Sequence, residues 1–178
     1  MIGVSRKIGL AAGLILGASA PALAHFQEII PSADVLPEGG QVTVDLVFTH
    51  PVEGGPVMEM VAPAKMGVLS GGKVTDLLPD LQEMPVDGKS AWTVTRHLVE
   101  PGASVFFVEP QPYWEPSEGK YIVHYSKVVV DSYASGEGWD EMVGLPVEIQ
   151  PLVRPTGLWT GNAFRGVVLK DCEPAPFA

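Results

Sequence analysis

A chain of 178 residues with 11 Lys and Arg against 21 Asp and Glu carries a formal charge of -10, which excludes nucleic-acid binding through phosphate neutralisation, since that attraction needs clustered cationic side chains. Its single cysteine, Cys172, leaves no intramolecular disulfide, so stability has to come from a hydrophobic core. Glycine and proline contribute 20 and 17 residues, and no segment sustains a 3.6-residue apolar period, a combination that argues against a helical protein.

Residues 1–24 read as a secretory signal peptide. Arg6 and Lys7 form a positive start, Ile8 to Leu16 is an apolar stretch too short to span a bilayer, and Ala22-Leu23-Ala24 supplies the small-x-small cleavage pattern. Export to the periplasm is the expectation. Without this segment the formal charge becomes -12, and about 154 residues remain, enough for one domain. No later stretch has the length of a transmembrane helix, so the processed chain is not expected to span a membrane. Cleavage would leave His25 first in the mature chain. Its free amine and imidazole Nδ1 would then close a chelate ring on one metal ion, supplying two of the four or so positions around a transition metal.

Gln41 to Phe48 alternates, with Val42, Val44, Leu46 and Phe48 on one face, which predicts a half-buried strand. His50 closes it in Phe48-Thr49-His50-Pro51, where strand meets loop and binding groups are commonly displayed. Met58-Glu59-Met60 offers two soft thioethers on one face of an extended segment, for which core packing is the favoured reading over Cu(I) ligation. A weak helical turn falls around Thr75 to Gln82, interrupted by Pro79. Ala91 to Thr95 and Ser104 to Val108 predict further strands, with His97 facing solvent. Glu109 to Pro116 is a stiff aromatic loop suited to walling a pocket or covering one end of the fold.

Tyr121 to Val130 predicts a strand that places His124 on one face with Ile122, Ser126 and Val128, partly buried, and Val143 to Ile149 predicts another. Pro146, Pro151 and Pro155 punctuate the chain like a linker, after which Gly161 to Leu169 reads as the opening strand of a further segment and Asp171 to Pro176 as a turn toward a partner strand. The expected organisation is a signal over 1–24, a β domain over 25–150, and over 151–178 a linker with the start of a truncated second β segment. Many short strands separated by glycine and proline turns predict an all-β, immunoglobulin-like antiparallel sandwich.

The histidines form no short metal motif, so any site must be assembled from distant segments. The chain also lacks a nucleophile elbow, a phosphate-cradling glycine loop and a Ser-His-Asp order, and an enzymatic activity is not expected. His25-Phe26-Gln27-Glu28-Ile29-Ile30-Pro31-Ser32, Phe48-Thr49-His50-Pro51, Glu53-Gly54-Gly55-Pro56 with Met58 and Met60, Pro112-Tyr113-Trp114-Glu115-Pro116, Tyr121-Ile122-Val123-His124-Tyr125 and Gly157-Leu158-Trp159 together resemble a periplasmic family of uncharacterised domains linked to cobalt and nickel uptake. The resemblance runs nearly the length of the mature chain. It implies a periplasmic accessory component that captures Ni²⁺ or Co²⁺ and presents it to a membrane permease, and a β-protein that continues past Ala178.

The expected ligands are the amine and imidazole of His25, the His50 imidazole and His124, with Glu59 or Asp45 as carboxylates able to complete or orient the set. The alternative is a copper protein of the histidine-brace type, either a copper chaperone or a mono-oxygenase, whose minimum requirement is an N-terminal histidine plus a second one on a β-sandwich. Tyr113 and Trp114 would then face a polysaccharide. A third possibility is a structural or adhesive sandwich without metal.

Overall fold

The computed structural model describes residues 25–51 and 54–176, and the signal-peptide assignment therefore lies outside the described residues. In chain order the strands are β1 (Phe26–Pro31), β2 (Val35–Leu36), β3 (Gly40–Thr49), β4 (Lys65–Ser70), β5 (Lys73–Asp76), β6 (Gln82–Glu83) and β7 (Trp92–Leu98). They continue as β8 (Gly102–Glu109), β9 (Tyr113–Glu115), β10 (Lys120–Ile122), β11 (Ser126–Ser132), β12 (Val147–Pro151), β13 (Gly166–Lys170) and β14 (Glu173–Pro174). The chain is an all-β sandwich. One sheet has the order β1-β3-β7-β6 and the other β2-β11-β8-β4-β5, with a β9-β10 hairpin and a β12-β13-β14 sheet added.

Alternation in β3 does what its sequence demands. Val42, Val44, Leu46 and Phe48 point inward and meet Val94 of β7, Met66 and Val68 of β4, Phe106 and Val108 of β8 and Val130 of β11. Strand β8 instead reads as a continuous apolar run because both of its faces are covered. Phe106 and Val108 face the inter-sheet core, whereas Ala103 and Val105 form a second cluster with Leu69 and Val129 beneath Trp139 and Val143.

Several elements differ from the sequence reading. The run Tyr121 to Val130 is interrupted: β10 ends at Ile122, β11 begins at Ser126, and His124 lies in the break rather than on a strand face. Of Val143 to Ile149 only Val147 onward is strand, because the backbone amides of Val143, Gly144 and Leu145 curl around the Glu148 carboxylate. The helical turn shrinks to a 3-10 turn at Leu78–Asp80, with Lys73–Asp76 extended. The opening strand of the tail begins at Gly166 rather than Gly161 and pairs with β12 and with the two-residue β14, so Asp171 and Cys172 do form the expected turn. Met58 and Met60 lie outside regular strand, and both pack on the core. Among the described residues no helix is long and apolar enough to cross a membrane.

Among the described residues one ion pair joins the third sheet to the sandwich. Lys127 on β11 donates to Glu148 on β12, and both side chains are nearly buried. Removing one partner of such a pair strands the other charge away from water. Glu148→Ala is therefore expected to lower unfolding free energy by about 3–5 kcal/mol in urea titrations, while Glu173→Ala, exposed on β14, changes it by less than about 0.5 kcal/mol.

Candidate metal centre

The site begins with strand register. β1 runs antiparallel to β3 with Phe26 opposite Thr49 and Gln27 opposite Phe48, and one further step along the ladder sets His25 across from His50. Side chains directly opposite in an antiparallel pair project to the same face. The two imidazole centroids are accordingly 4.0 Å apart, their planes tilted by 50°. Two hydrogen bonds hold this end of the ladder in place: Thr49 Oγ1 donates to Glu28 Oε2 at 2.7 Å, and Gln27 Nε2 donates to the Val47 carbonyl at 3.2 Å. Beyond β3 the chain folds back on itself, with the Gly55 amide donating to the His50 carbonyl at 3.0 Å. A Cβ at position 55 would stand 2.6 Å from the Cβ of His50, so glycine is what allows this close return.

Strand β9 supplies the wall opposite. Its Tyr113 ring lies 5.1 Å from both His25 and Phe48, and Phe48 stacks 5.6 Å from His25. Two residues further along, Glu115 projects to the same side of β9 and is only 7% exposed. Its Oε1 accepts from the Ser117 amide at 3.0 Å and the Ser117 hydroxyl at 2.6 Å. Oε2 lies 3.3 Å from His25 Nδ1, within ion-pair range, and the buried Nδ1 makes no geometric hydrogen bond. The Ser117 hydroxyl first, then its amide, and then His25 hold the Glu115 carboxyl below the usual range.

His124 occupies different surroundings. Its ring packs 6.1 Å from Phe26 and 5.7 Å from Phe48, and it lines a 290 Å³ cleft with Gln27, Met60, Tyr113 and Trp114. Burial lowers its pKa, and the proximity of His25 lowers it further.

The structure thus brings His25 and His50 together and sets His124 against Phe26 and Phe48. Among the described residues no group of three or more His, Cys, Asp or Glu side chains is placed to hold a metal ion. What His25 and His50 offer is two imidazoles, to which a free amine on His25 would add a third nitrogen. The two carboxylates suggested by sequence are engaged elsewhere: Asp45 accepts from Thr93 Oγ1 at 2.6 Å, and Glu59 accepts from the Ser90 amide at 3.4 Å. His97 is exposed on β7. Sequence reasoning missed Glu115 as a site residue, although it lies in the stiff aromatic loop already suspected of walling a pocket.

Because the folded pKa of His124 is depressed, its contribution to stability is fully present above the unfolded value of about 6.5 and is lost as the pH falls from there through the folded value. Urea unfolding at pH 7.5 and 5.5 should therefore show a stability loss in the wild type that is smaller in His124→Gln.

No curated protein matches the chain. The model of one family, a domain of unknown function designated DUF4198, matches residues 22–178, and with the match spanning nearly all of the sandwich and its third sheet, the chain belongs to that family.

Proposed function

We propose that this protein is an exported, non-enzymatic carrier that captures a divalent transition-metal ion and hands it to a membrane permease, with nickel or cobalt as the cargo. The observation that supports the reading most is the pairing of His25 with His50 at 4.0 Å between ring centroids. Once the chain starts at His25, the α-amine, Nδ1 of the same residue and a ring nitrogen of His50 give three nitrogen donors from two residues. Such a set does not need a third side chain.

Donor chemistry suits the cargo. Imidazole and amine nitrogens are borderline ligands that bind Ni²⁺, Co²⁺ and Cu²⁺ alike. A buried Nδ1 with no hydrogen-bond partner is free to give its lone pair to an ion. The acidic surface raises the local concentration of cations around the site. Nickel and cobalt uptake and the receiving permease rest on the family resemblance of the motifs named above, and export rests on reading residues 1–24 as a signal peptide.

The copper-brace reading uses the same donors, and intrinsic affinity places Cu²⁺ above Ni²⁺ and Co²⁺. It is favoured by one observation, the exposed Trp114 and Tyr121 rings packed edge to face 5.1 Å apart beside the site, which could contact a polysaccharide. Oxygen- or peroxide-dependent cleavage of polysaccharide by the copper-loaded protein would favour that alternative over the carrier.

Calorimetric titration of the chain beginning at His25 with Ni²⁺ and Co²⁺, against a chain carrying one extra residue before it, tests the amine chelate. The extra residue is expected to weaken binding at least about tenfold, equivalent to about 1.4 kcal/mol, and His50→Ala to weaken it further. Binding should also weaken as the pH falls, because protons compete with the ion for nitrogen ligands. Unchanged affinity with the extra residue would rule out the amine as a ligand.

A further inference from the structure

We propose that Glu115 supplies an oxygen ligand to the ion held by His25, making the site a mixed nitrogen and carboxylate centre that selects divalent over monovalent metal. This inference rests on the carrier reading above and goes beyond it by naming a ligand and the charge class of the cargo.

The two oxygens of Glu115 are differently occupied. Oε1 is saturated by the amide and hydroxyl of Ser117, which fix the carboxylate plane. Oε2 is the one left to face His25 Nδ1 at 3.3 Å. Nδ1 is buried and makes no geometric hydrogen bond, so the two atoms face each other alone. The separation is that of two ligands of one ion: with bonds of about 2.1 Å, two donors lie about 3.0 Å apart at a right angle and about 3.4 Å apart at the tetrahedral angle.

Charge points the same way. Glu115 is 7% exposed, and among the described residues its ion-pair partner is His25 alone. An ionised carboxylate out of water is costly unless a positive charge meets it, and a divalent cation between Oε2 and Nδ1 would meet it with more charge than an imidazole can carry. Carboxylate and imidazole together suit divalent ions, whereas Cu(I) prefers thiolate and thioether.

The test uses the chain beginning at His25, its Glu115→Gln variant, and Ser117→Ala as a control for the turn. Glutamine keeps the acceptor for Ser117 while losing the charge. Co²⁺ affinity is measured by calorimetry, its coordination by visible absorption, and Cu(I) affinity by competition with a chromophoric chelator. Glu115→Gln is expected to weaken Co²⁺ binding at least tenfold and to shift the Co²⁺ d–d bands, leaving the weaker Cu(I) binding unchanged. Ser117→Ala should retain the wild-type band positions. If the wild type binds Co²⁺ and Glu115→Gln matches it in affinity and spectrum, Glu115 is not a ligand and the carrier reading stands. If the wild type does not bind Co²⁺ at all, the carrier reading falls and this inference with it. Should Glu115→Gln fail to fold, Glu115→Asp replaces it: the shortened side chain keeps the charge but withdraws the oxygen, and unchanged bands in the folded variant would overturn the assignment.

Discussion

Everything at the candidate centre depends on the register of β1 against β3. A strand has a side-chain period of two, so sliding β1 by one residue would turn Gln27 and Ile29 outward and carry His25 to the opposite face from His50. The molecule guards against that slip with contacts made within the first four residues of the ladder. Thr49 donates to Glu28 across the pair, and the Gln27 amide reaches the carbonyl of Val47. Ser126 adds a third restraint from the other sheet by donating to the Gln27 carbonyl at 2.7 Å. The segment is thereby committed to one alignment.

The surroundings then convert alignment into chemistry. Phe48 and Tyr113 exclude water from one side of His25, and Gly55 lets the loop after β3 return against His50. Glu115 is delivered by a different element, the short strand β9, and aimed by Ser117 two residues away. Local turn chemistry and long-range strand pairing therefore converge on the same few cubic ångströms. The rigid part of the site lies on strands whose inner faces are buried, while His50 and the turn after Glu115 sit at strand ends, where adjustment is least costly to the core.

Much of the sandwich was legible because its central strands obey simple rules. β3 alternates, and β8 is uniformly apolar because it is covered on both sides. β1 was not legible: Phe26-Gln27-Glu28-Ile29-Ile30-Pro31 has no clean period, buries a glutamine and ends in proline. Without that strand the sequence could name His25 and His50 together but not say why they meet, since their closeness follows from pairing between segments about 25 residues apart rather than from any motif. Apolar residues misled in two places. Val143 and Leu145 suggested strand but form part of a turn that grips Glu148, and Val123 suggested continuity where the chain breaks around His124. The carboxylate beside His25 was not legible either: Asp45 and Glu59 lie near the histidines in sequence, yet they accept from a threonine hydroxyl and a backbone amide, whereas Glu115, which faces His25, lies 90 residues from it in the chain.

The most direct test of the central claim is X-ray absorption at the nickel or cobalt edge of the loaded chain beginning at His25. An inner shell of nitrogen and oxygen at about 2.0–2.1 Å, with the outer-shell scattering of two imidazole rings that falls to one in His50→Ala, is the predicted result. A spectrum without imidazole scattering, or one unaffected by loss of His50, would contradict the pairing of His25 and His50 as a metal centre.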